Sequence, residues 1–482
     1  MRLITAVSEQ FSGLCKMEKE ARSLIFSATP LIGLLLLSLL YTELIWLPNT
    51  RHCGSDQMVG NHEYRNLCSI RSTGKDGQGI DDQEHLNFLL RRLVRGEDQT
   101  QLDTTGFACH SDFHTDVCVA NRPVRIDMRT MNIYATFSQG IPQANHTVRP
   151  YARKADKKAM SFVSPVQILQ GNITLPACQY THNVPAAVFS SGGYTGNLFH
   201  EFNEIIIPLF VTYRSLQSRL RFIVTDFNPP FSGKFKKILS HLSSYEVIKP
   251  AANGSVHCFP GAVIGLHYHG NLALNNTDIP GGYSMLGFRQ FLRESYNLKV
   301  VNVSEMNKPV LILVSRPKTR TFLNEDDMVT MMKALGFRVV VARPHMMSNL
   351  DKFAQVVNSC SVMVGAHGAG LTNAMFLPQG AVLVQVVPLG LRWLSATYFG
   401  GPAKEMGLKY VEYRVEPVES SLLTLYNQDH PVITNPASIF LEGYAVARAV
   451  YINGQNLTIN VVRFREALVK ALGLLGLSAP LG

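Results

Sequence analysis

The feature that most constrains the fold of this chain is a glycine-rich run at residues 361–378, SVMVGAHGAGLTNAMFLP. Its apolar, β-rich start predicts a strand, and Leu371, Ala374 and Met375 before Pro378 predict a short helix that then stops. Glycines in the turn let a ligand approach the backbone, and free N–H groups at a helix N-terminus favour a phosphate. The run therefore predicts an anion site in an α/β protein, or else only a tight connection between two elements.

Polar side chains in and before this run would complete a phosphate site. The candidate donor-binding residues of the turn are His367, Gly368, Gly370, Thr372 and Asn373. A cationic segment after a predicted strand in the same half of the chain adds Arg316, Lys318 and Arg320. These cations could hold a pyrophosphate together with the turn, and the alternative for Arg316 and Arg320 is a solvated loop.

Strand and helix signals alternate through most of the chain and predict an α/β fold. The first half has predicted strands at 186–190, 221–226, 245–249 and 262–266, and the second half at 309–315, 337–342 and 381–387. Near-continuous apolar strands covered by helices indicate parallel sheets. We therefore predict two Rossmann-like lobes facing a cleft, an N-terminal lobe at 106–307 and a C-terminal lobe at 308–482 that ends in helices.

An apolar segment near the N-terminus predicts a membrane anchor. Residues 24–42 carry no charge, and a helix of that length, at roughly 1.5 Å per residue, crosses a bilayer core. The basic residues of 1–23 and the lack of a convincing cleavage site indicate a signal anchor with a cytosolic tail at 1–23 and a lumenal remainder; a buried soluble helix is the alternative. Polar, glycine-rich residues 43–105 predict a flexible stem with one helix at 84–95.

A lumenal location would expose the sequons and cysteines beyond the anchor to glycosylation and to disulfide formation. Six asparagines are candidate glycosylation sites: Asn145, Asn172, Asn253, Asn275, Asn302 and Asn456. Seven cysteines follow the anchor, so at least one is free or intermolecular, and proximity favours a disulfide between Cys109 and Cys118. The net charge of +10 does not indicate nucleic-acid binding, because the basic residues are scattered; an anionic small substrate accounts for it better.

A second candidate site lies where the predicted strand at 186–190 meets the turn Ser191-Gly-Gly-Tyr-Thr-Gly-Asn197. The helix that follows, with Asn197 as a plausible N-cap, carries His200 and Glu204 four residues apart on one face. Asp226 ends the next predicted strand, and ligands of such sheets bind at the carboxyl ends of strands. His200, Glu204 and Asp226 are therefore candidate catalytic residues, although His200 and Glu204 could instead be a structural pair.

Six segments in order resemble plant members of glycosyltransferase family 61, most closely the grass clade that decorates xylan. They are GGYTGNLFHEFNEIIIPLF (192–210), TDFNP (225–229), HCFPGAVIGL (257–266), NLALNNTDIPGGYSM (271–285), VSRPKTRTFLNE (314–325) and VGAHGAGLTNAMFLP (364–378). The resemblance covers the chain from about residue 109 to the C-terminus. It implies a type II Golgi membrane protein with a GT-B fold, and an inverting, metal-independent enzyme with UDP-pentose donors.

The resemblance implies transfer of xylose or arabinofuranose from a UDP-sugar to xylan or arabinoxylan in cell-wall biosynthesis. It places the family's His-x-x-x-acid pair on His200 and Glu204, its basic segment on Arg316 and Arg320, and its His-Gly-Ala-Gly motif on residues 367–370. An inverting transfer needs one general base. Glu204 is the first candidate, Asp226 the second, and His200 an alternative base or an orienting partner.

Several questions stay open at the level of the sequence. Relatives tend to have tryptophans soon after the TDFNP-like turn, whereas this chain has PPFSGK at 229–234, which leaves the acceptor undecided. Xylosylation of N-glycan cores, a catalytically silent Golgi scaffold and a lumenal carbohydrate-binding protein are the alternatives, and a homo- or hetero-oligomer with other Golgi transferases is open. Because the chain has no Asp-x-Asp sequence, we expect no metal or other cofactor, with cations and a helix dipole neutralising the leaving group.

Overall fold

The computed structural model describes residues 78–135, 145–171, 174–251, 254–274 and 282–479. The predicted tail, anchor and most of the stem lie outside these residues, as do Asn172, Asn253 and Asn275. Within the described ranges no helix is both long and apolar enough to cross a membrane. The chain divides into two compact units, Met1–Gln78 with Phe440–Tyr444 and Gly79–Ile439 with Ala445–Gly482, and all sites discussed below lie in the second.

Two sheets form the N-terminal lobe. Their strands are β1 Phe107–Ser111, β2 Asp116–Ala120, β3 Val124–Asp127, β4 Asn132–Ala135, β5 Asn145–Val148, β6 Val166–Gln170, β7 Tyr180–Thr181, β8 Ala186–Ser190, β9 Arg221–Thr225, β10 Val256–Phe259 and β11 Ala262–Gly265. The strand orders are β1-β2-β11-β8-β9 and β5-β6-β4-β3-β10-β7. In the first sheet β8 is parallel to β9 and β11, whereas β1 and β2 are antiparallel.

The predicted parallel strands β8, β9 and β11 are confirmed, but two expectations for this lobe are wrong. The sheets are mixed, because the link between β1 and β2 is a short turn at 112–115 and a parallel pair needs a long crossover. The predicted strand at 245–249 is reduced to a single bridge between Ile248 and Ile223. Serines at 243–244 and Pro250 leave too short a run between them for a longer ladder.

The C-terminal lobe has one fully parallel sheet, as the apolar strand pattern predicts. Its strands are β12 Val310–Val314, β13 Arg338–Ala342, β14 Val362–Ala366, β15 Val382–Val387 and β16 Lys409–Arg414, in the order β13-β12-β14-β15-β16. Strands β12, β14 and β15 are buried along their whole length. Strand β16 was not predicted, because KYVEYR is not one of the continuous apolar runs that identified the other strands of this sheet; its alternating burial suits the edge position.

Helices cover these sheets. The α-helices are α1 Gln78–Arg91, α2 Gly96–Thr105, α3 Lys157–Met160, α4 Leu198–Glu201, α5 Ile207–Tyr213, α6 Pro229–Lys234, α7 Lys236–Leu242, α8 Met285–Tyr296, α9 Glu325–Ala334, α10 Pro344–Met347, α11 Leu350–Asn358, α12 Arg392–Ser395, α13 Gly401–Glu405, α14 Pro431–Thr434, α15 Pro436–Leu441, α16 Tyr444–Ala447 and α17 Val461–Leu474. Segments with π geometry are Phe202–Ile206, Ala396–Gly400 and Arg448–Asn453. Short 3₁₀ helices are Arg214–Leu216, Val303–Glu305, Ala369–Phe376, Pro417–Glu419 and Ser421–Thr424.

The folded part of the chain begins before Gly106. Helices α1 and α2 lie in the stretch predicted as stem, yet Leu90, Leu93 and Leu102 are buried in the same core as the N-terminal lobe. The single helix expected at 84–95 corresponds to α1, which begins and ends earlier. Within the described residues, the part of the chain predicted as stem therefore contributes two helices to the N-terminal lobe.

Cysteines in the described residues form two disulfides. The predicted pair Cys109–Cys118 is confirmed and joins β1 to β2 across the ladder. Cys178–Cys258, which the cysteine spacing did not reveal, bonds a residue two positions before β7 to β10. Cys360 is the free, buried cysteine of the described part of the chain.

The two lobes share one hydrophobic core. Phe202 and Phe288 from the N-terminal lobe lie with their ring centroids 6.4 Å apart, and Phe376 from the C-terminal lobe lies 6.0 Å from Phe202. Arg289 of α8, which is 3% exposed, donates hydrogen bonds to the carbonyl oxygens of Met375, Leu377 and Met406. The segment that carries the glycine-rich turn is therefore held by the other lobe.

The described sequons differ in their surroundings. Asn145 is exposed at the start of β5. Asn302 and Asn456 are half-buried, and each side-chain oxygen accepts a backbone N–H, from Ser304 and Thr321 respectively. Glycosylation of all six asparagines remains a prediction.

Candidate active site

The first candidate site lies at the start of the helix that follows β8. Asn197 caps α4 as predicted, because its side chain accepts the N–H of Phe199. After α4 the helix continues through the π segment Phe202–Ile206 into α5. His200 and Glu204 lie on one face, with His200 Nδ1 2.6 Å from Glu204 Oε1. Segments of π-helix are frequent at functional sites.

Glu204 is completely buried and its oxygens are already occupied. Besides His200, the Tyr151 hydroxyl donates to Oε2 at 2.5 Å and the Arg153 guanidinium donates to Oε1. Burial and the adjacent Glu204 charge raise the pKa of Tyr151, so that hydroxyl stays a donor. Although burial opposes it, the charges of Glu204 and Asp156 raise the pKa of Arg153 overall. The carboxylate is therefore held by three donors and has no access to solvent.

Tyr151 reaches Glu204 only because Gly193 lies beside it. Gly193 has φ of +61°, and a Cβ there would lie 2.2 Å from Tyr151 Cζ. The sequence showed the glycines of this turn but not that Gly193 makes room for Tyr151. It also did not reveal Tyr151 and Arg153 as partners of Glu204, because they lie about fifty residues earlier in the chain. The sequence feature that could have revealed these two residues was the run rich in basic side chains at 149–158.

His200 is a partly exposed member of this network. Its side chain is 23% exposed, and its Nδ1 faces the Glu204 carboxylate. A carboxylate accepts, so the neutral form of the His200 ring carries its proton on Nδ1 and its lone pair on Nε2. This is the arrangement of a histidine base oriented by a buried acid.

Asp226 has a different environment. Its backbone has φ of +52°, a left-handed conformation at the end of β9. Its carboxylate accepts the N–H and hydroxyl of Ser164, at 2.9 and 2.5 Å, and the hydroxyl of Ser190 at 2.7 Å. These bonds join the ends of β8 and β9 to the segment before β6.

The second candidate site is the glycine-rich turn after β14. Its predicted helix is present as the 3₁₀ helix Ala369–Phe376. Gly368 has φ of +144°, and a Cβ there would lie 2.8 Å from Arg316 Nη1 and 3.1 Å from Arg320 Nη1. The two guanidinium groups therefore lie directly against the turn, as the anion site requires.

The cationic segment after β12 is brought to the turn by backbone contacts. Arg320, which is 6% exposed, donates to the carbonyl oxygen of His367 at 2.6 Å. Arg316 is half-buried and donates through Nε to the carbonyl of Thr319 at 2.9 Å, and burial lowers the pKa of its guanidinium. Lys318 lies on the same loop and is exposed.

His367 is oriented by a chain of hydrogen bonds that the sequence did not reveal. The Tyr410 hydroxyl donates to Gln385 Oε1 at 2.8 Å, and Gln385 Nε2 lies 3.1 Å from His367 Nδ1. With the amide in this orientation Nδ1 accepts and His367 carries its proton on Nε2. The sequence feature that could have revealed this chain is Gln385, because it is the one polar residue of the apolar run AVLVQVV.

Thr372 and Asn373 have unused polar atoms inside the protein. Both side chains are 1% exposed, and within the described residues Thr372 Oγ1 and Asn373 Oδ1 have no hydrogen-bond partner. Asn373 Nδ2 donates to the carbonyl of Gly370 at 3.0 Å. Gly370 itself allows close packing, since a Cβ there would lie 2.9 Å from Val314. Buried polar atoms without partners are costly, which fits a ligand that would pair with them.

Aromatic rings connect the two candidate sites. The Phe399 ring centroid lies 6.0 Å from that of Phe199 and 5.6 Å from that of His367, and Phe199 lies 5.4 Å from His200. Phe199 and Phe399 therefore link His200 to the glycine-rich turn through contacts between the two lobes. Among the described residues, no group of three or more His, Cys, Asp or Glu side chains could hold a metal ion.

Burial of His367 predicts a pH-dependent stability. Burial, followed by the charges of Arg320 and Arg316, lowers its pKa to about 3. The unfolded imidazole takes up a proton near pH 6.5 that the folded one cannot, so stability is present above pH 6.5 and is lost as the pH falls. Between pH 7 and pH 5 the wild type should lose about 2 kcal/mol more unfolding free energy than His367→Gln. Urea unfolding at both pH values measures this, and equal losses would contradict it.

Comparison with known proteins gives consistent matches. A family model for glycosyltransferase 61 matches residues 196–384, which include both candidate sites. The alpha-1,3-arabinosyltransferase XAT3 of Oryza sativa subsp. japonica is 38% identical over 369 residues, 75% of this chain and 64% of that protein. The beta-1,2-xylosyltransferase XYXT1 of the same organism is 34% identical over 388 residues, 76% and 83% of the two chains. The xylan glycosyltransferase MUCI21 of Arabidopsis thaliana is 31% identical over 408 residues, 80% and 81%.

Proposed function

Because the chain belongs to the glycosyltransferase 61 family, we propose that it transfers a pentose, xylose or arabinofuranose, from a UDP-sugar to xylan during cell-wall biosynthesis. One observation carries the proposal. A histidine oriented by a buried acid faces the same region as a glycine-rich turn covered by two arginines. The names of the relatives support the pentose and the xylan acceptor, although the chain spans only 64% of the length of the first relative compared.

The proposed reaction uses His200 as the general base. Its Nε2 takes the proton of the acceptor hydroxyl as that oxygen attacks the anomeric carbon, and the bond from that carbon to the diphosphate breaks with inversion. Glu204 holds the Nδ1 proton and stabilises the resulting imidazolium. Of the three candidate bases, His200 is the one whose lone pair faces outward, while Glu204 is buried among three donors and Asp226 ties strand ends together.

The proposed donor site neutralises the leaving diphosphate with protein groups. The diphosphate takes the electron pair of the broken bond, and the guanidinium groups of Arg316 and Arg320 with the N-terminus of the 3₁₀ helix would stabilise its charge. The Nε2–H group of His367 would donate a hydrogen bond to a phosphate oxygen. With these cations in place, the reaction is proposed to need no metal ion.

The setting of the reaction is also part of the proposal. A GT-B-like arrangement, with the donor on the C-terminal lobe and the acceptor on the N-terminal lobe, is supported by the parallel sheet β12–β16 and its glycine-rich turn. A Golgi membrane location with the catalytic part in the lumen is supported by the uncharged residues 24–42 and by two disulfides, which suit an oxidising compartment.

A donor screen tests the proposed function. The protein is incubated in excess EDTA with UDP-xylose or UDP-arabinofuranose and xylo-oligosaccharides, and products are identified by mass and linkage. Transfer from one donor without metal is the expected result and names the pentose. A strict requirement for Mn²⁺ would contradict the metal-free donor site. UDP binding without transfer from either donor would move the acceptor to N-glycan cores, and no UDP binding would favour a silent scaffold.

A further inference from the structure

We propose that three half-buried tyrosines, one of them beside His200, form the acceptor subsite, and that they hold a neutral sugar ring of a carbohydrate acceptor by stacking. The three are Tyr194, Tyr268 and Tyr398. The inference rests on the proposed transfer reaction, since it takes His200 Nε2 as the atom that the acceptor hydroxyl must reach.

Tyr194 is a rigid ring next to the base. Its ring centroid lies 4.7 Å from that of His200. Both carboxylate oxygens of Asp156 hold its hydroxyl, at 3.1 and 3.2 Å, and its N–H donates to the Tyr151 hydroxyl at 3.1 Å. Because its orientation is set before a ligand arrives, little ordering cost remains to be met on binding.

Tyr268 faces the same network from the segment after β11. Its ring stacks on His114, with centroids 4.0 Å apart and planes 17° apart. Burial raises the pKa of its hydroxyl to about 12, and the charges of Arg153 and Glu204 act on that hydroxyl as well. The ring is therefore neutral and lies close enough to Arg153 and Glu204 to feel their charges.

Tyr398 comes from the other lobe. It belongs to the π segment Ala396–Gly400, and its ring centroid lies 5.2 Å from that of Phe199, the neighbour of His200. The adjacent Phe399 contacts His367 of the donor site. Tyr398 is therefore placed between the proposed donor and acceptor groups, where an acceptor hydroxyl has to meet the anomeric carbon.

The loop after Asp226 does not supply this aromatic surface. Its Phe231 is 1% exposed. Its Lys234 is bound by Glu201 at 2.6 Å, and Glu201 is itself 1% exposed and accepts the N–H of Gly196. The ion pair holds α6 against the last residue of α4, which also binds the N–H of Gly196, so this loop supports the turn that carries Tyr194.

The chemistry of the cluster matches a neutral sugar. A tyrosine ring has an apolar face and a polar edge, and a sugar ring has C–H faces and a hydroxyl rim, so the two suit each other. The charges of the cluster are paired with one another, since Arg153 is bound by Glu204 and Asp156. A charged acceptor would have no partner left to pair with in this network.

Four variants of the full-length protein test the subsite: Tyr194→Ala, Tyr194→Phe, Tyr398→Ala and Tyr398→Phe. The affinity for xylohexaose is measured by calorimetry in the presence of UDP. Each alanine variant should raise the Kd for xylohexaose roughly tenfold, and each phenylalanine variant, which keeps the ring, less than about threefold. Tyr180→Ala is the matched control, because this exposed tyrosine of β7 lies against His257 instead, with ring centroids 4.8 Å apart, and the xylohexaose affinity of this variant should be unchanged.

The outcomes separate this inference from the proposed function. Unchanged xylohexaose affinity in both alanine variants overturns the subsite, and so does the absence of xylohexaose binding to the wild type. Release of free pentose from the UDP-sugar into water needs no acceptor and tests the donor reaction alone. If that release and UDP binding are absent while xylohexaose affinity still depends on the tyrosines, the proposed function fails and the subsite stands.

Discussion

Replacement of His200 by alanine should lower kcat for sugar transfer by about 10²- to 10⁴-fold, the contribution that a positioned general base makes. The imidazole is the only route in the proposed site by which the acceptor hydroxyl loses its proton. UDP binding should be unchanged, because the donor groups lie on the other lobe. Single-turnover rates and UDP titrations of the purified variant measure the two effects separately.

Chemical rescue distinguishes His200 from the other two candidate bases. Added imidazole should restore part of the rate of His200→Gly, whereas it should not help Glu204→Gln, in which the base is present but badly oriented. Asp226→Asn is the control for a nearby carboxylate outside the proton path. A His200→Ala variant that keeps a tenth or more of the wild-type rate, beside an inactive Glu204→Gln, would assign the base to Glu204.

Replacement of Arg289 by methionine should lower the free energy of unfolding by roughly 3 to 5 kcal/mol, the effect of breaking a buried charged network. Methionine keeps much of the length and packing of the side chain but leaves three buried carbonyl oxygens without their donor. Although burial lowers the pKa of Arg289 to about 10, the guanidinium is charged at neutral pH. The lost interaction is therefore a charged one.

Urea unfolding of the purified protein measures this change in stability. Arg338→Met is the matched control, because Arg338 is exposed on β13 and the same substitution there should shift stability by less than about 0.5 kcal/mol. Weaker UDP binding should accompany the Arg289 variant, since two of the three carbonyls end the 3₁₀ helix of the donor site. Equal stability of the two variants would show that Arg289 does not hold the lobes together.

Local patterns in the sequence predicted much of the C-terminal lobe and parts of both sites. Continuous apolar runs identified β12, β14 and β15, and the glycine-rich turn was recognised with its helix. Four-residue spacing placed His200 and Glu204 on one face, where they are in contact. These features depend on neighbours within a few residues, which is why the sequence alone shows them.

The tertiary structure decided which groups surround the candidate residues. Tyr151 and Arg153, from a segment about fifty residues away, donate hydrogen bonds to the Glu204 carboxylate. In the His200–Glu204 pair, His200 is therefore the partly exposed member. Gln385 and Tyr410 orient His367 from neighbouring strands. Such contacts join residues that are remote in the chain, so no spacing rule anticipates them.

The amino-acid sequence by itself determined the α/β class, the parallel C-terminal sheet, the two motifs that carry the sites and the membership of a family. It did so because hydrophobic periodicity, glycine and capping residues act over a few positions of the chain. Only the tertiary structure decided the mixed N-terminal sheets, the core that joins the lobes and the different surroundings of His200, Glu204 and Asp226. Those outcomes depend on burial and on the competition of distant donors for the same oxygen atoms, and both exist only once the chain is folded.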